Sequence, residues 1–357
     1  MSIFDKIFGR PNKMMEKPVM KVTMMGARGV GKTSVLTSMY NNMDSAIAGT
    51  NLHIKASDET RDILIKKHEN LQAMFGKNTN PSDAVQSGIA GDKTVTTFSF
   101  EFGLNVKNIA MDLEIKDFPG EYIRTDSETV KKYIDESNAV IVAVDTPHLM
   151  ECGGKYNEVK NEVELITNLF KASLNKDSGE KLIMFVPLKC EKYYHKHCMD
   201  VVGETIKEVY RDLLVFLRDK NNVNGMEGKF ACVVVPILTV GEIEFSDFET
   251  DEDGTVSEIA VYDRVFPKRA IYVYSKDFAS YSPQFCEQPL YYLLTFVSKQ
   301  YERLKNSIED ASWITRFKKM FMVSPEANDL FVEVQKFAMK KKDNEDGYKV
   351  YFGRGKI

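Results

Sequence analysis

Residues Gly26 to Thr33 read Gly-Ala-Arg-Gly-Val-Gly-Lys-Thr, an unbroken G-x-x-x-x-G-K-[ST] pattern, and no other feature narrows the fold as much. Such a loop needs a strand running into it and a helix running out. Its glycines let successive N–H groups turn around an anion that the positive end of the following helix also faces. Both flanks are present: residues 18 to 25 (Pro-Val-Met-Lys-Val-Thr-Met-Met) have strand character, and Val35, Leu36, Met39 and Tyr40 follow at helical spacing. The pattern predicts that Gly26, Ala27, Arg28, Gly29, Val30, Gly31, Lys32, Thr33 and Ser34 enclose the phosphates of a nucleoside triphosphate. Lys32 would reach the β- and γ-phosphates, and the Thr33 hydroxyl would ligate Mg2+.

At 357 residues, 43% hydrophobic and 28% charged, the chain can bury one large or two modest cores, which excludes disordered and fibrous classes. A net charge of −4 supplies no global basic field, so no nucleic-acid partner is expected. Five cysteines in a chain without a secretory signal read as reduced thiols, and no apolar run is long enough to cross a bilayer; a cytoplasmic location is expected.

An amphipathic helix over 55–75 (Ile63, Leu64, Leu71, Met74, Phe75) and a polar loop up to Lys93 interrupt the sheet. Runs 94–104 and 108–118 then read as an antiparallel hairpin. A helix near 126–136, a strand at 138–145, a helix near 155–173, a strand at 181–188, a helix near 201–219 and a strand at 229–238 follow. Their near-continuous Val and Ile suit parallel strands covered on both faces. The fold class is therefore α/β, a doubly wound, mostly parallel sheet of six strands with one antiparallel pair. An added hairpin over about 242–275 carries an acidic turn that reads as solvated, since Ala260 falls where a calcium loop requires a bidentate Glu. The strongly apolar stretch 285–307 predicts a helix packed on the sheet.

The strand over 109–117 ends in Asp117-Phe118-Pro119-Gly120-Glu121, a D-x-x-G element. Asp117 would hold Mg2+, usually through water, and the Gly120 N–H would bond the γ-phosphate and sense its presence. In the order phosphate loop, long first switch, hairpin and D-x-x-G, the chain resembles the Ras-like P-loop GTPases of the translation-factor-related class over roughly residues 18 to 241. The Asp-Phe-Pro-Gly-Glu form and the long helical insertion most resemble the bacterial double-GTPase group associated with conflict and signalling gene clusters.

That resemblance implies a P-loop GTPase domain over 18–307, with a switch-region insertion at about 43–93, preceded by an amphipathic extension at 1–17 and followed by a helical, basic tail at 308–357. It implies bound GTP or GDP with Mg2+, and a protein effector or activator at the switch loops. A first-switch Thr would ligate Mg2+ and touch the γ-phosphate, with Thr94 favoured over Thr96. Glu121 stands where many relatives place a water-orienting Gln, and its charge beside the phosphates points to slow hydrolysis without a partner. Arg28, in place of a small glycine, would stabilise transition-state charge, block an incoming arginine finger or point to solvent; Arg124 is a second such cation. Base selection departs from the family's N-K-x-D: Leu188-Lys189-Cys190-Glu191 keeps the Lys but substitutes Glu for Asp and Leu for Asn. Thr239 lies in the loop expected at the guanine O6.

Three further stretches have simpler alternatives. Cys190, His195, His197 and Cys198 lack the usual zinc spacing and read as a surface loop. The basic amphipathic segments around Ile3, Phe4, Ile7 and Phe8 and around Trp313, Ile314, Phe317, Met320 and Phe321 suit a membrane surface or a partner, or docking on the domain. Lys340 to Lys342 read as a solvated run. The expected function is a Mg2+-dependent GTP-hydrolysing switch; an ATPase on the same phosphate site and a non-hydrolysing nucleotide-bound interaction module are the alternatives.

Overall fold

The computed structural model describes residues 19–87, 94–105, 108–175, 177–218, 228–305 and 325–357, so both basic amphipathic segments fall outside the described residues. Its strands are β1 (Val19–Met25), β2 (His53–Ala56), β3 (Thr96–Asn105), β4 (Asn108–Asp117), β5 (Ala139–Asp145), β6 (Lys181–Leu188), β7 (Phe230–Val234), β8 (Ile243–Phe248), β9 (Glu258–Val261), β10 (Arg264–Pro267), β11 (Ala270–Tyr274) and β12 (Lys349–Phe352). The main sheet runs β12-β7-β6-β5-β1-β4-β3-β2. Pairing is parallel from β4 through β1, β5 and β6 to β7, and antiparallel at β4–β3, β3–β2 and β7–β12.

Alternation along the central strands sorts their side chains onto two faces. In β5, Ala139, Ile141 and Ala143 join one core while Val140, Val142 and Val144 join the other; every residue of the strand is buried. The first core takes Val35, Leu36 and Met39 of helix Lys32–Asn41 and Leu290, Leu293, Leu294 and Val297 of helix Gln288–Lys305. The second takes Val130 and Ile134 of helix Ser127–Glu136, Ile166, Leu169 and Phe170 of helix Val163–Ser173, and Val202 and Ile206 of helix Met199–Val209. The result is a doubly wound α/β P-loop nucleotide-binding fold.

The six expected strands form its centre, and two more extend the edges. The first residues of the stretch expected as one helix over 55–75 instead belong to β2; Ser57 then caps helix Asp58–Ala73 by accepting from Thr60 N–H at 3.2 Å. The polar loop beyond it contains helix Pro81–Ser87. The helix expected over 155–173 is broken: Glu162 takes a left-handed φ of +53° between helices Asn157–Asn161 and Val163–Ser173. The break carries the buried Glu162 carboxylate to two arginines nearer the surface: its Oε1 accepts from Arg124 Nε at 2.6 Å and lies 3.3 Å from Arg264. The added hairpin is two antiparallel pairs, β8–β11 and β9–β10. The lysine run is not a solvated one: Lys340 Nζ donates to the carbonyls of Ala46 and Ala48 at 2.9 Å, and Lys342 pairs with Asp346 at 2.8 Å. No helix among the described residues is long and apolar enough to cross a membrane.

Phe185 is fully buried in β6 with its ring centroid 4.7 Å from that of Tyr210. Phe185→Ala is expected to lower stability by about 3–5 kcal/mol, read from urea unfolding.

Candidate functional site

The carboxyl ends of the parallel strands open on one edge of the sheet, where a doubly wound fold places its ligand crevice. The phosphate loop leaves β1, Asp117 ends β4, Asp145 ends β5, Leu188 ends β6, and Thr239 follows β7. All of these but the fully buried Asp145 line one cleft of about 930 Å3.

In the phosphate loop Gly26, Gly29 and Gly31 have φ of +149°, +72° and +114°, a region open to glycine at little cost. Gly26 also lies close to Ala143, whose carbonyl oxygen would be 3.0 Å from an added Cβ. Lys32, buried, folds over the loop and donates from Nζ to the Gly26 carbonyl at 2.7 Å. Burial pushes its ammonium down, against the opposing pull of Asp117, Glu121 and Glu162. Thr33 Oγ1 donates to Asp117 Oδ2 at 2.7 Å, joining the phosphate loop to the D-x-x-G strand. Gly120 approaches the loop so closely that a Cβ on it would stand 2.2 Å from the Arg28 nitrogen. Thr94 and Thr96 both line the cleft; Thr94 is exposed, and Thr96 pairs in register with Asp117.

Two other sequence candidates meet each other. Arg28 reaches into solvent, its side chain 84% exposed, and there lies 3.1 Å from the half-exposed Glu121 carboxylate. Arg124 is engaged by Glu162.

At the other end of the cleft Lys189 has a left-handed φ of +55° and donates to Asp145 Oδ2 at 2.8 Å and to the Gly29 carbonyl at 3.0 Å. Asp145 is fully buried. Its other oxygen lies 2.6 Å from His148 Nδ1. Burial alone would raise this carboxyl, but the charges of His148, Lys189 and Lys160 hold it well below the usual range. Glu191 is 1% exposed, and burial lifts it to about 7 despite the N–H groups of Val240 and Gly241. Thr239 is buried, and its carbonyl accepts from Ser38 Oγ at 2.9 Å. The Cys/His stretch disperses: Cys190 Sγ faces the carbonyls of Pro187 and Ile237, and His195 pairs with Glu244. No group of three or more His, Cys, Asp or Glu suited to a metal occurs among the described residues.

Thr33 and Asp117 supply a hydroxyl and a carboxylate, hard oxygen donors already converging on one point, and Thr94 lines the same cleft. This donor set fits Mg2+.

Sequence reasoning missed Asp145, His148, Lys160 and Tyr272, all in contact with this network or the cleft. Asp145 left one signal, a carboxylate closing the apolar run Ala-Val-Ile-Val-Ala-Val. Tyr272 left none, because its part depends on β11 folding back over the cleft. There Tyr272 N–H donates to Ser82 Oγ at 2.8 Å, and Tyr274 donates to the Met74 carbonyl at 2.8 Å, joining β11 to the switch-region insertion.

No protein-family model matches the chain, and no curated protein does. Solved structures similar to it are remote. The Ski7 GTPase-like domain of S. cerevisiae bound to GDP and inorganic phosphate is 14% identical at a TM-score of 0.38, over 63% of this chain and 44% of that one. The signal recognition particle receptor SRb-GTP/SRX complex from Chaetomium thermophilum is 14% identical at 0.31, over 62% and 92%. The cytosolic domain of the T. maritima FeoB iron transporter in apo form is 11% identical at 0.21, over 92% and 90%. The chain thus spans less than half the length of the Ski7 chain it matches.

Two outcomes are expected. Gly120→Ala should force the D-x-x-G loop off Arg28 and weaken triphosphate binding more than diphosphate binding, read as the ratio of the two Kd values. For Glu191 the folded carboxyl holds its proton to higher pH than the unfolded one. Its contribution therefore favours folding at low pH and is lost as pH rises from about 4.5 to about 7. Glu191→Gln should remove that fall, making the variant more stable than wild type at pH 8 but not at pH 4.5 in urea unfolding.

Proposed function

We propose that this chain is a Mg2+-dependent, GTP-binding and GTP-hydrolysing switch. One observation carries the reading: the phosphate loop and the D-x-x-G element meet through the Thr33–Asp117 hydrogen bond, with Gly120 against Arg28. Lys32 and the loop N–H groups would bind the phosphates. Mg2+ held by Thr33, Asp117 and Thr94 would neutralise charge on the β- and γ-oxygens. Gly120 and Thr94, from two different loops, would report the γ-phosphate, and a protein effector or activator would read those loops.

Glu121 would orient the attacking water and Arg28 would offset charge on the transferring phosphoryl group. The two lie 3.1 Å apart in an exposed pair that opens at little cost. The Glu121 charge beside the phosphates favours slow intrinsic turnover that a partner accelerates, within the bacterial signalling or conflict role that the sequence resemblance suggested. Lys189, anchored on Gly29 and Asp145, would place its stem under the base, and Glu191 would accept from the guanine N1 and N2 groups.

One observation favours ATP instead: Glu191 is enclosed and bonded to backbone N–H groups beside Thr239, so base contact requires it to share or leave those bonds. Calorimetric titration of Mg2+-GTP, Mg2+-GDP and a non-hydrolysable ATP analogue separates the readings. Wild type should prefer guanine nucleotides, and Glu191→Ala should lose that preference by about tenfold or more, as expected for two buried hydrogen bonds. ATP binding equal to GTP with Glu191→Ala silent would make it an ATPase, and triphosphate intact after hours in single turnover would leave a non-hydrolysing module.

A further inference from the structure

Four consecutive carbonyls of the phosphate loop are met by three ammonium groups. Lys32 takes those of Gly26 and Ala27, Lys189 that of Gly29, and Lys160 that of Arg28 at 3.1 Å. Lys32 belongs to the loop motif and Lys189 to the base loop. Lys160 belongs to neither; it comes from helix Asn157–Asn161, which the left-handed turn at Glu162 ends. We propose that Lys160 is a positioning residue of the phosphate site, which orients and polarises the Arg28–Gly29 peptide so that the Gly29 N–H is presented to a nucleotide phosphate. This rests on the nucleotide-binding reading above.

The C=O and N–H of a trans peptide point in opposite directions, so an ammonium on the Arg28 oxygen turns the Gly29 N–H to the opposite side. Polarising the carbonyl also strengthens that N–H as a donor. Charge supports the same role. The carboxylates that face Lys160 are largely engaged elsewhere: both oxygens of Asp145 by Lys189 and His148, and Oε1 of Glu162 by Arg124 and Arg264, which leaves Glu162 Oε2 buried without a hydrogen bond. Lys160 forms no ion pair among the described residues, and Lys189 and Lys32 repel it. Burial first, then those two lysines, push it down to about 8, with Asp145 and Glu162 opposing. A cation placed this way gains more from an incoming polyanion than one already neutralised.

Binding of a phosphate anion therefore favours protonated Lys160. Affinity should fall as pH rises from 7 to 9, and binding should take up part of a proton at pH 8, because ligand raises a pKa that lies near that pH. The test is titration of Mg2+-GDP at pH 7, 8 and 9 in buffers of different ionisation enthalpy, on wild type, Lys160→Met and Lys160→Arg. Lys160→Met should bind about tenfold more weakly at pH 7 and take up less proton than wild type at pH 8. Lys160→Arg should bind within about threefold of wild type, with the pH dependence shifted out of this range, since Arg stays charged.

Lys160→Met binding like wild type, or binding more weakly with wild-type proton uptake, would overturn the proposal, the second case leaving only a packing role. If Lys160→Met fails to fold, Lys160→Gln carries the comparison, and nucleotide binding within about threefold of wild type at pH 7 rejects the role. Wild type that binds no nucleotide sinks this proposal and the nucleotide-binding reading together, whereas wild-type binding with an indifferent Lys160→Met sinks this one only.

Discussion

A carboxylate with no access to water sits at the end of β5, and the cleft is organised by what that burial demands. An isolated buried charge costs several kcal/mol, so Asp145 persists only with partners. His148 takes one oxygen and Lys189 the other, while Asn161 accepts from the Asp145 N–H at 2.7 Å and donates to its carbonyl at 3.1 Å. Each partner lies on a different segment. Lys189 carries the constraint furthest, since the ammonium held by Asp145 also holds Gly29, so the loop after β6 and the phosphate loop are tied by one carboxylate.

The residues with the chemistry for phosphate handling satisfy one another. Lys32 is on Gly26, Thr33 on Asp117, and Arg28 on Glu121. Buried polar groups are costly when unpaired, and the Lys32 and Thr33 pairings meet that cost. Lys32 and Arg28 each keep donors beyond those now used, so a polyanion can be met by both without first displacing the carbonyl or the carboxylate. The two contacts differ in kind: Lys32 is buried and its bond is short, whereas Arg28 and Glu121 are more exposed, and their pair is correspondingly weak.

Two segments appended to the sheet wall the cleft on its open side. Leu71 and Met74 of the switch-region insertion pack with Ile243, Phe245, Phe248 and Tyr272 of β8 and β11 in a third apolar cluster, separate from both sheet cores. Gln86 donates to the Ala270 carbonyl at 3.0 Å, and Arg269 pairs with Asp83. Helix Pro81–Ser87 precedes Thr94 in the chain, and Tyr272 lines the cleft with Lys189. The segment that leads to Thr94 is thus bonded to β11, whose Tyr272 lines the cleft with Lys189.

The central sheet was legible because its signals are local. A glycine loop between strand and helix, and fully apolar runs at β5 and β6, report their own burial through composition and period. Lys32, Thr33, Asp117 and Gly120 belong to that class, each named by a few neighbours in sequence. Other features are decided by contacts between distant residues. The break at Glu162 follows from Arg124 and Arg264, which come from either side of it; β12 joins the sheet because Lys349 to Phe352 meet β7. Arg28 against Glu121, Lys160 on Arg28, and Tyr272 at Lys189 join residues tens to hundreds of positions apart. The sequence alone determined the six central strands, the phosphate loop and the acid that meets it, since backbone conformation and burial period are properties of short segments. Only the tertiary structure decided which charges neutralise which, because pairing in a buried cleft depends on distance in space rather than along the chain.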